Sequence, residues 1–277
     1  MNHLVSVVIP FFNEERYLRK TVECIVDQTC RDMEILLVDD GSTDSSAEIA
    51  RRFQDQRIRI VSNGRTLGRP ASRNIGIEEA TGEFVTFMDA DDECDATRIE
   101  KQLNTLLHSG ENTVCGTWIR IKDGDRETIK RLPIEHDDIA AGFRRQHNRT
   151  TFVGATMMCR RLLLKQFKFR EQFKYFEDWD LLARLYESSA VRFTNIPEPL
   201  YSYIIRAKST RHSEDWYDYN IFARNCQDRR NKRLREFDSL EDFRIYLRTN
   251  VLARLYYVGL KSMIRLKRGT NRKAIIS

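Results

Sequence analysis

The sequence predicts an α/β architecture: a mostly parallel, Rossmann-like sheet flanked by helices, with a helical appendage at the C-terminal end. Three observations predict it. Short apolar, β-prone runs recur up to residue 110. Segments of helical period separate them, and each run ends in polar or glycine-containing residues, as strand ends do where they form a ligand crevice.

The first run, Val5-Ser6-Val7-Val8-Ile9-Pro10, reads as a buried strand. Glu14 to Gln28 has helical spacing through Tyr17, Leu18, Val22, Ile25 and Val26. A second strand, Glu34 to Val38, runs into Asp39-Asp40-Gly41-Ser42-Thr43-Asp44, whose small polar residues make a turn and cap a helix reaching Phe53. Ile58 to Ser62 reads as the third strand, Ala71 to Ala80 as the third helix and Glu83 to Met88 as the fourth strand. The order changes after residue 112. Short strands at Thr113 to Ile121, Glu127 to Arg131 and Val191 to Ile196, around a helix at Trp179 to Ser188, predict an α+β half that completes a site. The expected organisation is residues 1–212 as one domain, divided at 110/111, and 213–277 as a basic helical extension.

Composition narrows the class. A chain of 277 residues with 41% hydrophobic content and mixed charge buries a substantial core and is not disordered. No run of about 18 apolar residues and no signal-peptide layout is visible, so a cytoplasmic location is expected. The six cysteines show neither C-x-x-C nor zinc spacing, and free thiols are expected. The net charge of +6 gathers late, in Arg224 to Arg235 and from Lys261 onward. Such blocks meet phosphates, anionic lipid or solvent.

The densest chemical signal is Phe84-Val85-Thr86-Phe87-Met88-Asp89-Ala90-Asp91-Asp92, an apolar run that delivers three carboxylates. Carboxylates gathered at a strand end repel one another unless a cation or proton compensates them, and their oxygens suit Mg²⁺ or Mn²⁺ together with a phosphorylated ligand. The plainer reading is helix capping by Asp92 or Asp95 before the helical segment Ala96 to Ser109.

Four motifs in order resemble the inverting glycosyltransferases of family 2, which have the GT-A fold. They are Val5 to Glu14, Val38-Asp39-Asp40-Gly41-Ser42-Thr43-Asp44, Ala71-Ser72-Arg73-Asn74-Ile75-Gly76 and Met88-Asp89-Ala90-Asp91-Asp92. The resemblance spans roughly residues 4–205, more loosely in the second half. It implies sugar transfer with inversion from a nucleotide-sugar donor, UDP-linked by family likeness, to a carbohydrate or lipid-linked acceptor in bacterial cell-surface polysaccharide or glycolipid synthesis.

By the same resemblance, Pro10, Phe11, Glu14, Asp40 and Ser42 belong to a uridine-type pocket. A carboxylate accepts from a base N–H and an aromatic covers the base face, while core packing for Phe11 and turn-making for Asp40 are the structural alternatives. Arg73 resembles the family arginine near the nucleotide, or forms an ion pair with an aspartate of the cluster. Leu67-Gly68-Arg69-Pro70 departs from the common family loop before it. Asp89-Ala90-Asp91 corresponds to the D-x-D metal signature, with Asp91 the first ligand, Asp89 toward the ribose or the metal's water, and Asp92 behind them.

Glu177-Asp178-Trp179-Asp180 resembles the acidic motif that supplies the catalytic base, Asp178 first and Glu177 second, although acids at a helix start are also favoured by the helix dipole. Phe152 to Met158 is similar to the acceptor-side segment. Arg206, Lys208 and His212 fall in the segment that resembles a loop closing over the diphosphate. Leu252, Leu255, Tyr256, Gly259, Met263 and Leu266 form one helical face among basic residues. That face fits an anionic membrane surface, making the protein peripheral on the inner face of the cytoplasmic membrane; packing on the catalytic domain or a homodimer fits it too. A dinucleotide oxidoreductase is set aside because Pro10 to Glu14 contains no G-x-G-x-x-G turn. No nucleic-acid partner is expected, since no recognition motif accompanies the basic residues. A catalytically silent sugar-nucleotide binder is the remaining alternative.

Overall fold

The computed structural model describes residues 4–144, 151–206, 214–250, 253–259 and 261–262. In chain order the elements are β1 (Val5–Phe11), α1 (Leu18–Val26), β2 (Met33–Asp39), α2 (Ser46–Arg51), β3 (Ile58–Ser62), α3 (Arg69–Glu79), β4 (Phe84–Phe87), β5 (Glu93–Cys94), α4 (Arg98–Leu107), β6 (Thr113–Asp123), β7 (Arg126–Lys130), α5 (His136–Arg144), β8 (Met158–Arg160), α6 (Arg161–Phe167), α7 (Glu177–Glu187), β9 (Arg192–Ile204), α8 (Glu214–Asn231) and α9 (Leu240–Thr249). Two compact units result: Met1–Phe169 with Leu181–Ala207, and Arg170–Asp180 with Lys208–Ser277.

In the first unit the described residues form a nine-stranded sheet in the order β3-β2-β1-β4-β8-β6-β9-β5, with β7 paired to β6. The strands β3, β2, β1 and β4 are parallel. The next, β8, is antiparallel to both β4 and β6, and β9 is parallel to β6. All seven residues of β1 and of β2 are buried, as expected of parallel strands covered on both faces.

Strand periodicity divides the apolar side chains into two layers. Val5, Val7, Ile9 and Phe11 pack with Leu18, Val22 and Ile25 of α1 and Ile99 and Leu106 of α4. On the other face Val8, Leu36, Val38, Val85 and Phe87 pack with Ile77 of α3 and Leu181, Leu182 and Leu185 of α7. The α3 helix lies so close to β1 that a Cβ at Gly76 would come 2.3 Å from Val8 Cγ1. The buried Glu34 of β2 fastens the far end of the sheet, accepting from Ser6 Oγ at 2.6 Å, Thr81 N at 2.6 Å and Arg59 at 3.2 Å. Burial alone would raise its carboxyl, but these hydrogen bonds hold it below the usual carboxylate range.

The second unit has its own aromatic core: Phe173, Phe222 and Phe243 are buried, with Phe237, Tyr246 and Tyr257 packed against them. Phe173 and Phe222 stack with centroids 4.9 Å apart. Ser239 caps α9 by accepting from Asp242 N at 3.1 Å. Within the same unit Arg170 and Arg230 both pair with the buried Asp180 and with Glu236. Of the predicted amphipathic face, Leu255 and Tyr256 are exposed on the helical residues 253–259, while Leu252, Met263 and Leu266 lie outside the described residues. Among the described residues no helix is long and apolar enough to cross a membrane.

Candidate active site

The site of the first unit is built where β1, β2 and β4 end. After β1 the chain turns at Asn13, whose φ of 55° is left-handed, a conformation asparagine tolerates better than most residues. Asn13 Oδ1 accepts from Thr43 N at 2.8 Å and Asn13 N donates to Ser42 Oγ at 3.1 Å. Glu14 N donates to Ser46 Oγ at 2.7 Å. The turn after β1 and the turn after β2 therefore hold each other. At Gly41, with φ of 77°, a Cβ would stand 2.6 Å from the Arg65 backbone, so glycine is required for that approach.

The Asp40 carboxylate is consumed by this framework. It is buried and accepts from Asn63 Nδ2, Ser72 Oγ, Leu67 N and Gly68 N, each at 2.9 Å. It thereby organises the 63–68 loop at the start of α3, the loop whose sequence departs from the family pattern. Asp39 at the end of β2 accepts from Ser42 N at 2.9 Å. Phe11 is 2% exposed and lies in the inner apolar layer, the packing role that was its structural alternative, because β1 alternation directs it there. The exposed ring of that turn is Phe12.

At the end of β4, carboxylate oxygens of Asp89, Asp91 and Asp92 lie within 4.8 Å of one another. Their surroundings differ. Asp92 is buried, its Oδ2 accepting from Tyr201 Oη at 2.7 Å and its Oδ1 from Ile204 N at 2.9 Å. Asp89 Oδ1 accepts from Arg73 at 2.9 Å, and Arg73 lies over the rings of Phe87 and Phe169. Asp91 pairs with Arg206, which also donates to Glu14 Oε2 at 3.0 Å and lies over the Tyr17 ring. Burial raises the Glu14 carboxyl and the Arg206 guanidinium opposes that rise. Burial, followed by the charge of Asp92, keeps the Tyr201 hydroxyl protonated far above its ordinary range.

Beneath this cluster Arg98 is buried, donating to Thr86 Oγ1 at 2.9 Å and Phe87 O at 3.0 Å, with its guanidinium 5.0 Å from the Tyr201 ring centre. The acids are thus braced by α4, β4 and β9. With all groups ionised, Glu14, Asp89, Asp91 and Asp92 outnumber Arg73, Arg98 and Arg206 by one negative charge, so the cluster stays net anionic. The all-oxygen donor set suits a hard ion such as Mg²⁺ or Mn²⁺.

The acidic motif at the start of α7 lies in the second unit up to Asp180. Phe176 precedes it with φ of 66°, a costly conformation for an aromatic residue, and Phe176 O accepts from Asp180 N at 2.9 Å. Glu177 is buried and Asp180 is held by Arg170 and Arg230. Asp178 is the partly exposed acid of the three, with Oδ1 accepting from Trp179 N at 2.8 Å. Lys208 and His212 lie outside the described residues.

Residues 6–168 match the family model described as Glycosyl transferase family 2. The chain belongs to glycosyl transferase family 2. This family 2 chain is 38% identical over 127 residues to the glycosyltransferase GlyG of Streptococcus pneumoniae, covering 45% of this chain and 42% of that protein. It is 32% identical over 209 residues to an uncharacterized glycosyltransferase of Methanocaldococcus jannaschii, covering 73% of this chain and 71% of the relative. It therefore spans less than half of GlyG's length. Among solved structures, S. aureus TarS 1-349 in complex with UDP-GlcNAc superposes with a TM-score of 0.65 at 20% identity, over 81% of this chain and 66% of that one. The fold of this family 2 chain is accordingly GT-A, as its motifs predicted.

Sequence reading assigned no role to four residues that shape the site: Asn13 and Asn74, which stand within the motifs, and Arg98 and Tyr201. Asn74 exchanges hydrogen bonds with the Phe169 backbone at 2.8 Å in each direction. A polar residue directly after the apolar β1 run signals Asn13. Asn74 is signalled by its place in the motif beside Arg73, and Arg98 and Tyr201 only through partners elsewhere in the chain.

Proposed function

We propose that this protein transfers a sugar from a nucleotide-sugar donor, UDP-linked, to an acceptor hydroxyl with inversion. The observation that carries the proposal is the braced carboxylate cluster at the end of β4 in a family 2 chain. UDP-GlcNAc bound to the structurally similar TarS supports the donor class. Asp91 and Asp89 would hold Mg²⁺ or Mn²⁺, which when bound neutralises diphosphate charge that develops as the sugar–phosphate bond breaks.

The chain's own residues supply the rest. Asp92 is a positioning residue, since both its oxygens are occupied by β9. Arg73 orients Asp89 and places positive charge beside the cluster. Arg206, paired with Asp91 and Glu14, is the guanidinium that would turn to phosphate oxygens if a cation took its place on Asp91. Asp178 accepts the acceptor's proton as the hydroxyl attacks the anomeric carbon: its carboxyl is accessible, whereas Asp180 is neutralised by two arginines. Synthesis of a bacterial surface polysaccharide or glycolipid is the proposed setting, with the exposed Leu255 and Tyr256 turned to an anionic membrane surface.

The test is nucleotide release from UDP-, GDP- and dTDP-sugars, with Mn²⁺ or with EDTA, with and without lipid-linked acceptors. Release from one donor that is abolished by EDTA and by Asp91→Ala is expected. Asp178→Asn should still bind UDP and lose transfer. Near wild-type transfer by Asp178→Asn would remove Asp178 from its role, and release that is indifferent to EDTA would remove the metal.

A further inference from the structure

Two cysteines that the proposed chemistry does not use meet beside the acid cluster. Cys24 Sγ on α1 lies 3.7 Å from Cys94 Sγ on β5, although the residues are 70 apart in sequence. Both residues are free cysteines of intermediate burial, as is Cys30, whereas Cys115, Cys159 and Cys226 are buried.

The pair is held in place from several sides. Gln28 is fully buried, and its Nε2 donates to Cys24 O at 3.0 Å, Asp95 O at 2.8 Å and Cys94 Sγ at 3.4 Å. Its Oε1 accepts from Ile99 N at 3.0 Å. Lys20, one turn before Cys24, pairs with Glu93, the neighbour of Cys94. Thr29 N donates to Ala96 O at 2.8 Å. The end of α1, the β5 strand and the start of α4 are therefore fixed against one another around the two sulfurs. A disulfide needs about 2.05 Å between sulfurs, so closure asks for about 1.6 Å of approach.

We infer that Cys24 and Cys94 form a reversible dithiol–disulfide site whose oxidant is a low-molecular-weight disulfide of the glutathione class. One cysteine sulfur attacks the external disulfide, forming a mixed disulfide and releasing one external thiol. The second cysteine sulfur attacks the protein-bound sulfur, forming the Cys24–Cys94 bond and releasing the second external thiol. Two electrons and two protons pass from the protein to the external disulfide, which leaves as two thiols. The bond would tie α1 covalently to the strand that follows the acids. Thr21, one turn before Cys24, already donates to Asp92 O at 2.8 Å, and Cys94 is in register with Tyr201.

The test uses the full chain equilibrated with mixtures of glutathione and glutathione disulfide, quenched with acid, alkylated and mapped by mass spectrometry. A loss of two hydrogens in the intact mass, a cross-linked peptide joining Cys24 to Cys94, and its disappearance under excess thiol are expected. The oxidised protein should melt at a higher temperature than the reduced one, because the link closes a long loop of the unfolded chain. Cys24→Ser and Cys94→Ser, each checked for folding by its melting curve, should lose the cross-link and carry a mixed disulfide on the surviving cysteine. The inference is overturned if the folded wild-type protein keeps both thiols alkylatable at the most oxidising ratio. Mapping of the bond to other cysteines, or a lower melting temperature on oxidation, overturns it equally. Mapping the wild type decides the matter even if a variant fails to fold, and neither readout depends on sugar transfer.

Discussion

Tyr201 is the perturbation that most directly tests how the acids are braced. Its ring is 1% exposed and its hydroxyl donates to Asp92 Oδ2 at 2.7 Å while accepting from Asp89 N at 3.4 Å. Asp92 is equally buried, so solvent screens the pair little. Tyr201→Phe keeps the ring and deletes only the hydroxyl. Loss of a hydrogen bond to a charged, buried acceptor costs about 1.5–3 kcal/mol. For a unit of this size that lowers the melting temperature by about 3–12 °C. The decisive assay is a double-mutant cycle with Asp92→Asn, read by urea denaturation. If the bond is as described, the two changes are non-additive by about 1–3 kcal/mol. Additivity within about 0.5 kcal/mol would refute the bracing of Asp92 by Tyr201.

Three further expectations follow from the geometry. Glu34 is held below the ordinary carboxyl value of 4.5, so it contributes stability above that pH and loses it as pH falls through its own lower value. Glu34→Gln should therefore be less stable at neutral pH and show a flatter stability curve below about pH 4.5 in denaturation series; an unchanged acid slope would count against it. Arg206→Ala removes a cation that competes for Asp91 through a partly exposed pair worth about 0.5–1 kcal/mol, so Mn²⁺ should bind about two- to fivefold more tightly in calorimetry. Weaker or equal Mn²⁺ binding would deny that competition. Gly76→Ala should destabilise by about 1–3 kcal/mol through overpacking against Val8, and a thermal melt unchanged from wild type would show that α3 yields.

The parallel half of the sheet was legible because β1, β2 and β4 are largely apolar runs with polar ends, and the short alternating β3, Ile58–Ser62, matches its predicted bounds residue for residue. The predicted strand at Val191 to Ile196 proved longer. Beyond Ile196, β9 passes Pro197 and Pro199 with a bulge opposite Thr117 and Trp118 and continues to Ile204. The two-residue β5 and three-residue β8 are too short to show periodicity. Of the candidate site, the acids were legible because β-prone runs rarely end in three carboxylates. Their bracing was not, because Tyr201 and Asp92 stand 109 residues apart in sequence. The packing of Phe11 was left open because an aromatic at a strand end reads alike whether it points inward or outward; in the structure it packs inward.

The position of β8 has a consequence for biogenesis. This short strand sits in mid-sheet, with Phe84, Val85 and Thr86 of β4 paired to Arg160, Cys159 and Met158. A nascent chain that has emerged only as far as β4 therefore presents an apolar strand with an open edge, the arrangement most prone to pairing with a neighbouring chain. The parallel half of the sheet does not close as synthesis proceeds; it waits for residues 158–160, and Asp92 waits longer still for Tyr201 and Ile204. Expression of a fragment ending before β8 should accordingly yield aggregates rather than a smaller domain that binds nucleotide.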